Sequence, residues 1–446
     1  LLALAATHSP TDVQFYCLDF GGGTLAALQH LPHTGVIAGR GDGELVRRTV
    51  AQLQALIRRR SDAGRTATPD GYGEVFLVVD GWDALRHCGD DLAEAITTMA
   101  AQGLAHGVHV VIAASRWAEL RPALKDQLGT RIELRLGEPA ESEMDRKAAR
   151  HLMDSPPGAG ITRDGRVSAI ARPQPGTIDT LAQQLRARHA GRCAVPVRLL
   201  PALVERTSVP ARDAGPTNVT IGIGESELKP VTVDFAGTSH LFVLGDSGCG
   251  KTAALRTLCT QLIRTCTPEQ VQIHLVDTRR TLLGAVDAEF LAGYPMSTGM
   301  VATHIAGLTE QLRDRLPGVT VTQQQLRDRS WWAGPEIYVV VDDYELIAGA
   351  GTDPLTPLLE LLPHARDIGL HMVIARRAGG AARAMFNPIP ATMRELGCAG
   401  LLMSAGPDDG ALLGVTRPTA LPPGRAILTI GGHADERVQI AWTAEP

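Results

Sequence analysis

The chain has 446 residues, 44% of them hydrophobic, with 43 Lys and Arg against 48 Asp and Glu for a formal net charge of −5; that is more than one ordinary core holds, so two domains of about 200 residues each are expected. The acidic balance argues against a nucleic-acid-binding surface, which usually shows as a basic excess. No apolar run reaches the roughly 18–20 residues of a membrane span, and Leu1–Ala6 is too short and lacks the basic flank of a signal-peptide core.

The first element is the apolar run TDVQFYCLD, Thr11–Asp19, which ends on an acid. That pattern predicts a buried parallel strand reaching its C-terminal edge. Val46, Val50, Leu53 and Ile57 recur at helical spacing, and the connection between Arg60 and Pro69 is shorter than expected. A second strand follows in VFLVVD, Val75–Asp80, and a third in GVHVVIAAS, Gly107–Ser115. Then comes Pro156-Pro157-Gly158. Residues 191–216 carry Pro196, Pro201, Pro210 and Pro216 and read as a linker, because Pro fits neither a helix interior nor a central strand. Its apolar centre, Val195–Val204, is unusual for a free tether and suits docking on a domain surface. The seven cysteines are scattered, with no C-x-x-C, as expected of thiols in a reducing compartment.

Beyond the linker the plan repeats. PEQVQIHLVD, Pro268–Asp277, matches the first strand, with Val271 lying 258 residues after Val13. Ile305, Leu308, Leu312 and Leu316 form a helical stripe. IYVVVD at Ile337–Asp342 and GLHMVIARR at Gly369–Arg377 both follow their counterparts by 262 residues, and Pro422-Pro423-Gly424 repeats the Pro-Pro-Gly. Matched landmarks in one order predict a tandem duplication of a strand–helix domain. The expected division is residues 1–190, linker 191–216 and residues 217–446. Alignment of the copies places the first domain's own P-loop upstream of Leu1, as though that domain's start were truncated.

The second copy carries Gly245-Asp246-Ser247-Gly248-Cys249-Gly250-Lys251-Thr252, a complete G-x-x-x-x-G-K-[ST] between the apolar strand Ser239–Leu244 and a helix from Thr252. Glycines let backbone N–H groups curl around phosphate oxygens, and the helix N-terminus adds positive potential. Lys251 is the expected bridge to the β- and γ-phosphates of ATP, and the Thr252 hydroxyl an expected Mg²⁺ ligand. Asp342 is the matching acid for Mg²⁺, through water, and Asp343 stands where a catalytic acid orients the attacking water. Glu345 is a less favoured stand-in. The first copy ends the same strand Asp80-Gly81-Trp82. Asp80 remains able to serve Mg²⁺, but Gly81 cannot polarise water, so little hydrolysis is expected there; Asp83 is a weak substitute.

Other residues are less specific. Arg376 and Arg377 end a strand at the sheet edge where sensor arginines act, or are a solvated basic pair, and Arg116 lies in the matching region of the first copy. Trp331-Trp332 reads as packing rather than a ligand platform. His364 and His371 read as ordinary polar residues, and the 14 histidines show no metal-ligand spacing.

GDSGCGKT together with SWWAGPEIYVVVDDYEL, Ser330–Leu346, resembles the C-terminal ATPase domain of the EccC family, the ATPases of type VII (ESX) secretion systems within the FtsK/SpoIIIE superfamily. VQFYCLDFGGGTLAAL, Val13–Leu28, and VFLVVDGWDAL, Val75–Leu85, resemble its middle ATPase domain, altered acid included. The resemblance implies two tandem RecA-like P-loop NTPase domains, α/β with mainly parallel sheets. It implies ATP and Mg²⁺ as cofactors and a cytoplasmic ATPase held at the inner face of the membrane by the other subunits of the complex. It also implies homo-oligomers when active, and small helical WXG-type substrates captured through a C-terminal signal. A DNA translocase of the same superfamily, disfavoured by the acidic charge, and an ATP-stabilised substrate-binding scaffold with little turnover are the alternatives.

Overall fold

The computed structural model describes residues 1–63, 70–171, 173–174, 176–210, 215–348, 353–415, 418–433 and 435–444. Most of the connection expected to be short after Arg60, and residues 211–214 of the linker, lie outside the described residues. The chain divides into two compact units, Leu1–Leu199 and Leu200–Pro446. Among the described residues no helix is long and apolar enough to cross a membrane.

In the first unit, strands β1 (Val13–Asp19), β2 (Thr34–Gly39), β3 (Glu74–Asp80) and β4 (Val108–Ala113) form a parallel sheet in the order β2-β1-β3-β4. All seven residues of β1 are buried, as expected of a parallel strand covered on both faces. Helices α1 (Gly43–Ala63) and α2 (Asp90–Gln102) cover one face, where Leu53, Leu56, Ile96 and Met99 pack with Leu18, Leu77 and Val79. On the other face Phe15 and Cys17 meet Ala182 and Leu185. An antiparallel ribbon follows, β5 (Ile132–Leu134), β6 (Ala159–Thr162) and β7 (Val167–Ala169).

The second unit contains β8 (Val204–Glu205), β9 (Asn218–Gly224), β10 (Pro230–Asp234), β11 (Leu241–Gly245), β12 (Val271–Val276), β13 (Leu291–Gly293), β14 (Glu336–Val341), β15 (Leu370–Arg377), β16 (Ala399–Leu402), β17 (Arg425–Thr429) and β18 (Glu436–Trp442). Its sheet runs β10-β9-β18-β17-β16-β11-β15-β14-β12-β13, parallel from β16 to β13 and antiparallel beyond, with β8 beside β18. Helix α3 (Lys251–Thr265) follows β11, and α4 (Thr298–Arg313) follows β13.

The duplication is visible strand by strand: β2-β1-β3-β4 repeats as β13-β12-β14-β15, in the same parallel sense. Val75 pairs with Val108 as Ile337 does with Leu370. The helices after the edge strands are also equivalent, in a register that matches Val46, Val50, Leu53 and Ile57 with Val301, Ile305, Leu308 and Leu312. A pair of arginines fixes that register. Arg60 donates to the His106, Tyr72 and Gly73 carbonyls, and Arg315 donates to those of Ile368 and Pro335. Each thus closes the entry to two adjacent strands. Between β15 and β16 the second unit places β11; between β4 and β5 the first has a cleft of about 550 Å³ lined by Ile112, Trp117, Ile132 and Leu134.

The division at Leu199/Leu200 falls inside the proline-rich segment, and both sides of it are docked. On the first unit, Ala194 N–H donates to Pro32 O and Val195 N–H to Gln14 Oε1, while Val195 O accepts from the Tyr16 hydroxyl at 2.7 Å. Gln52 reaches Pro196 O and Arg48 reaches Arg198 O. On the second unit, Arg425 donates to Leu200 O and Pro201 O. A segment whose prolines have no N–H to satisfy is held largely by its carbonyls.

Two buried imidazoles give the second unit a pH dependence. Burial holds His240 neutral down to about 3, helped by nearby His371, and holds His274 down to about 4, helped by His304 and Arg315. In the unfolded chain both take up protons near pH 6.5. Unfolding therefore binds protons as the pH falls below about 6.5, and stability falls with it. Urea unfolding, followed by hydrogen exchange in peptides from β12 and β15, should show a midpoint that drops steadily from pH 7 to 5, where most carboxylates stay ionised. A flat or rising midpoint would show that these histidines titrate alike in both states.

Candidate nucleotide site

Strand β11 is buried throughout, and its carboxyl end feeds the loop Gly245–Gly250. A Cβ on Gly245 would lie 2.6 Å from Cys249 Sγ and 2.8 Å from Met403 Cβ, so only glycine fits where the chain leaves the sheet. Gly248 and Gly250 have φ of 76° and 109°, in the left-handed region that favours glycine. Asp246 and Ser247 stand exposed on the crest with Cys249 buried beneath. The loop then enters α3, a 15-residue helix starting at Lys251, so the helix dipole and its first N–H groups lie at the loop.

The Lys251 ammonium donates to Gly245 O at 3.0 Å and Asp246 O at 2.8 Å, spanning the loop from within. Thr252 Oγ1 donates to Asp342 Oδ2 at 2.7 Å. Asp342 follows β14 and is 2% exposed. Burial pushes its carboxyl above the ordinary value, as do Asp343 and Asp277 nearby, against the hydrogen bonds from Thr252 and Thr281. Asp343 is held in the left-handed region at φ 49°. Its N–H donates to Asp342 Oδ1, and its carboxylate lies 3.0 Å from Arg279 Nε. A hydroxyl beside a buried carboxylate at the mouth of a P-loop is a fitting donor set for a hard divalent cation, and the glycine cradle fits phosphate oxygens.

Glu345 accepts from the Arg377 N–H and pairs with its guanidinium at 3.4 Å, and so faces the end of β15. Arg377 is directly beside Gly245 in the sheet register. Arg376 is buried, its Nε donating to Arg377 O. The tryptophans pack: Trp331 Nε1 donates to Arg315 O, Trp332 Nε1 to Asp367 O, and the Arg315 guanidinium lies 4.4 Å from the Trp332 ring centre. His371 is buried between Glu336 and Ser239 O, while His364 is exposed on a short 3₁₀ helix.

In the first unit the Thr24 hydroxyl donates to Asp80 at 3.4 Å. Gly81 has φ 77°, and a Cβ there would lie 2.7 Å from Phe20 C. Gly81 is therefore a packing requirement as well as a missing acid, and an acidic side chain placed there would be strained. Asp83 pairs with His87 of its own helix at 3.8 Å. Arg116 pairs with Glu119 at 3.7 Å.

The sequence reading missed a group behind the two acids. Asp277 is 1% exposed and accepts from Arg279 N, Thr281 Oγ1, Leu282 N and Tyr294 Oη. Thr281 Oγ1 also lies 3.1 Å from Asp342 Oδ2. The signal was available in the repeat. Asp19 accepts from Gly23 N and Leu25 N in the same way, and each acid is followed by a Thr-Leu pair.

The FtsK/SpoIIIE family matches residues 1–176 and 202–289. Over its full length the chain is 48% identical to the ESX-4 secretion system protein EccC4 of Mycobacterium tuberculosis, of which it spans 37%. It is 32% identical to the ESX-1 secretion system protein EccCb1 of Mycolicibacterium smegmatis, covering 82% of that protein. A solved structure of Thermomonospora curvata EccC, ATPases 2 and 3 in complex with a signal sequence peptide, superposes with a TM-score of 0.87 at 41% identity, over 100% of this chain and 85% of that one. The chain spans little more than a third of the length of the EccC4 and T. curvata EccC proteins, 37% and 36%.

Replacing Lys251 with Ala removes the ammonium that the loop encloses and leaves β11 and α3 their apolar contacts. Affinity for a fluorescent ATP analogue should fall at least about tenfold, about 1.4 kcal/mol, while the melting temperature stays near the parent's. Unchanged affinity would remove the site assignment.

Proposed function

The chain belongs to the FtsK/SpoIIIE family and, within it, to the EccC-type ATPases of ESX secretion systems, and on that premise we propose that its second unit hydrolyses ATP to drive export of small helical WXG-type proteins whose C-terminal signal it binds. The ATPase reading is carried by the Thr252–Asp342 hydrogen bond at the mouth of a complete P-loop. Lys251 exchanges its two loop carbonyls for β- and γ-phosphate oxygens, and the N–H groups at the start of α3 receive phosphate charge. Mg²⁺, when bound, neutralises charge developing on the transferred phosphoryl group. Thr252 Oγ1 and, through water, Asp342 would hold it. Asp343 accepts a hydrogen bond from the attacking water and so orients it. Gly81 offers no such acceptor, so the first unit contributes little turnover. A sensor or finger arginine comes from Arg376 and Arg377 or from a neighbouring subunit, which favours homo-oligomers. The working location is the cytosolic face of the membrane, within the secretion complex.

The internal repeat supports a place for the peptide. On the first unit the extended segment Ala194–Arg198 runs along edge strand β2 and helix α1, held by Tyr16, Gln52 and Arg48. The equivalent surface of the second unit lies along edge strand β13 and α4, where Thr303 and Gly307 replace Arg48 and Gln52. It is a groove of about 480 Å³ lined by Tyr294, Pro295, Gly299, Met300, Thr303 and His304. Met300 is 49% exposed there. An apolar floor beside a sheet edge suits an extended or helical tail with apolar anchors.

Anisotropy of a labelled tail peptide from a WXG-type protein tests this. Met300→Lys should weaken binding about tenfold, and the parent's ATPase rate per chain should rise with protein concentration and with peptide. Equal peptide affinity in the Met300→Lys protein would remove the groove. A rate high at nanomolar concentration and indifferent to peptide would remove the coupled-motor reading.

A further inference from the structure

We propose that the loop Asp277–Leu282 is a latch on the two acids that follow β14, and that Tyr294 connects this latch to the peptide groove. The proposal rests on the reading of the second unit as a peptide-responsive ATPase and assigns its regulation to named positioning residues.

Arg279 holds Asp343. Its Nε lies 3.0 Å from Asp343 Oδ2, with the arginine 47% exposed and the carboxylate 14% exposed. A carboxylate that orients water must present a free lone pair and its full charge. The ion pair engages one oxygen and compensates the charge, so Asp343 is restrained while Arg279 is seated.

Thr281 holds Asp342. Its single hydroxyl proton faces two acceptors, Asp342 Oδ2 at 3.1 Å and Asp277 Oδ1 at 3.3 Å, and a hydroxyl has one proton to donate. Whatever moves Asp277 redirects that proton and changes the acceptor capacity left on Asp342. The Thr281 carbonyl is itself held by Arg256 of α3 at 2.8 Å, so the loop is seated on the P-loop helix.

Asp277 is in turn tied to the groove. Tyr294 lines it, and its hydroxyl donates to Asp277 Oδ2 at 2.9 Å. The contacts thus run from the groove wall through Tyr294 and Asp277 to Thr281, whose one proton goes either to Asp277 or to Asp342, and Asp342 in turn accepts from Thr252. Strain marks both sides of the contact, because Arg280 and Asp343 have φ of 60° and 49° without being glycine.

The first unit lacks both halves of the latch. Gly21–Gly23 occupy the place of the arginines and Gly81 that of Asp343, while the acid–threonine frame, Asp19, Thr24 and Asp80, is kept. Arginine and acid are present together in one copy and missing together in the other. That pattern fits an arginine whose partner is the acid, not the frame.

The experiment uses the full chain with steady-state ATPase, a fluorescent ATP analogue and anisotropy of the tail peptide. Arg279→Gln should raise basal kcat about 5-fold or more with the ATP KM little changed, and should shrink the further stimulation by peptide. Tyr294→Phe keeps the ring but removes the hydroxyl; at saturating peptide its ratio of stimulated to basal rate should fall toward one. Thr281→Val should change kcat, and Thr281→Ser should restore the parent's ratio. A basal kcat in Arg279→Gln at or below the parent's, or full stimulation in Tyr294→Phe, overturns the latch. Failure of the parent to bind the ATP analogue or the peptide is read on separate signals and overturns the functional reading beneath it.

Discussion

A carboxylate buried at the end of a fully buried strand is the constraint around which the second unit is arranged. Asp342 is almost inaccessible, and an unpaired charge in that place costs several kcal/mol. Thr252, Thr281 and the Asp343 N–H each offset part of this cost through hydrogen bonds to its oxygens, worth about 1.5–3 kcal/mol apiece for a charged partner. These donors come from α3, from the loop after β12 and from the turn after β14. The acid can be buried only if three segments of chain converge on it. Parallel strands in the order β11-β15-β14-β12 achieve that, because they bring all their carboxyl ends to one edge.

The same frame stands in the first unit with different loops. The acid that ends the first strand, the threonine that follows it and the arginine that closes the strand entry are common to both copies. These elements concern the fold: Asp19 and Asp277 cap their turns, and Arg60 and Arg315 satisfy carbonyls that packed strands would otherwise leave unpaired. What differs lies on the face above the strand ends, where Asp343 and Arg279 oppose Gly81 and Gly21–Gly23. A Cβ at Gly21 would fall 2.3 Å from Asp80 Oδ2. The glycine loop of the first unit thus lies close against its acid at Gly21, while Gly22 and Gly23 face open space.

Legibility followed the range of the interaction. The strands and the P-loop were readable because local pattern decides them: apolar runs ending in Asp, and glycines spaced to leave a strand and start a helix. The duplication was readable because it repeats such patterns. The residue-by-residue pairing of the two helices was not legible, since an apolar stripe fits as well one turn along. Only the distant carbonyls met by Arg60 and Arg315 fix it. The network behind the acids was invisible for the same reason, because Tyr294, Asp277 and Asp342 carry no shared motif and meet only when β12, β13 and β14 are adjacent. The proline-rich segment gave a partial signal in its apolar centre, and hydrogen bonds to its carbonyls supply the rest.

The strain at Asp343 and Arg280 connects these threads. A non-glycine residue in the left-handed region costs about 1–3 kcal/mol and persists where the surroundings over-determine it. Asp343 is fixed by its N–H on Asp342 and its carboxylate on Arg279; Arg280 is fixed between Arg279 and Thr281, both bound to Asp277. In the first unit the corresponding positions, Gly81 and Gly23, take the same backbone conformation at little cost. At these positions the second unit therefore stores strain where the first stores none, and it does so beside the buried carboxylate of Asp342. Strain held by an ion pair with its arginine half open to solvent is free to be released when that pair is broken. Groups that need to change partners during a turnover cycle are best placed on such a segment.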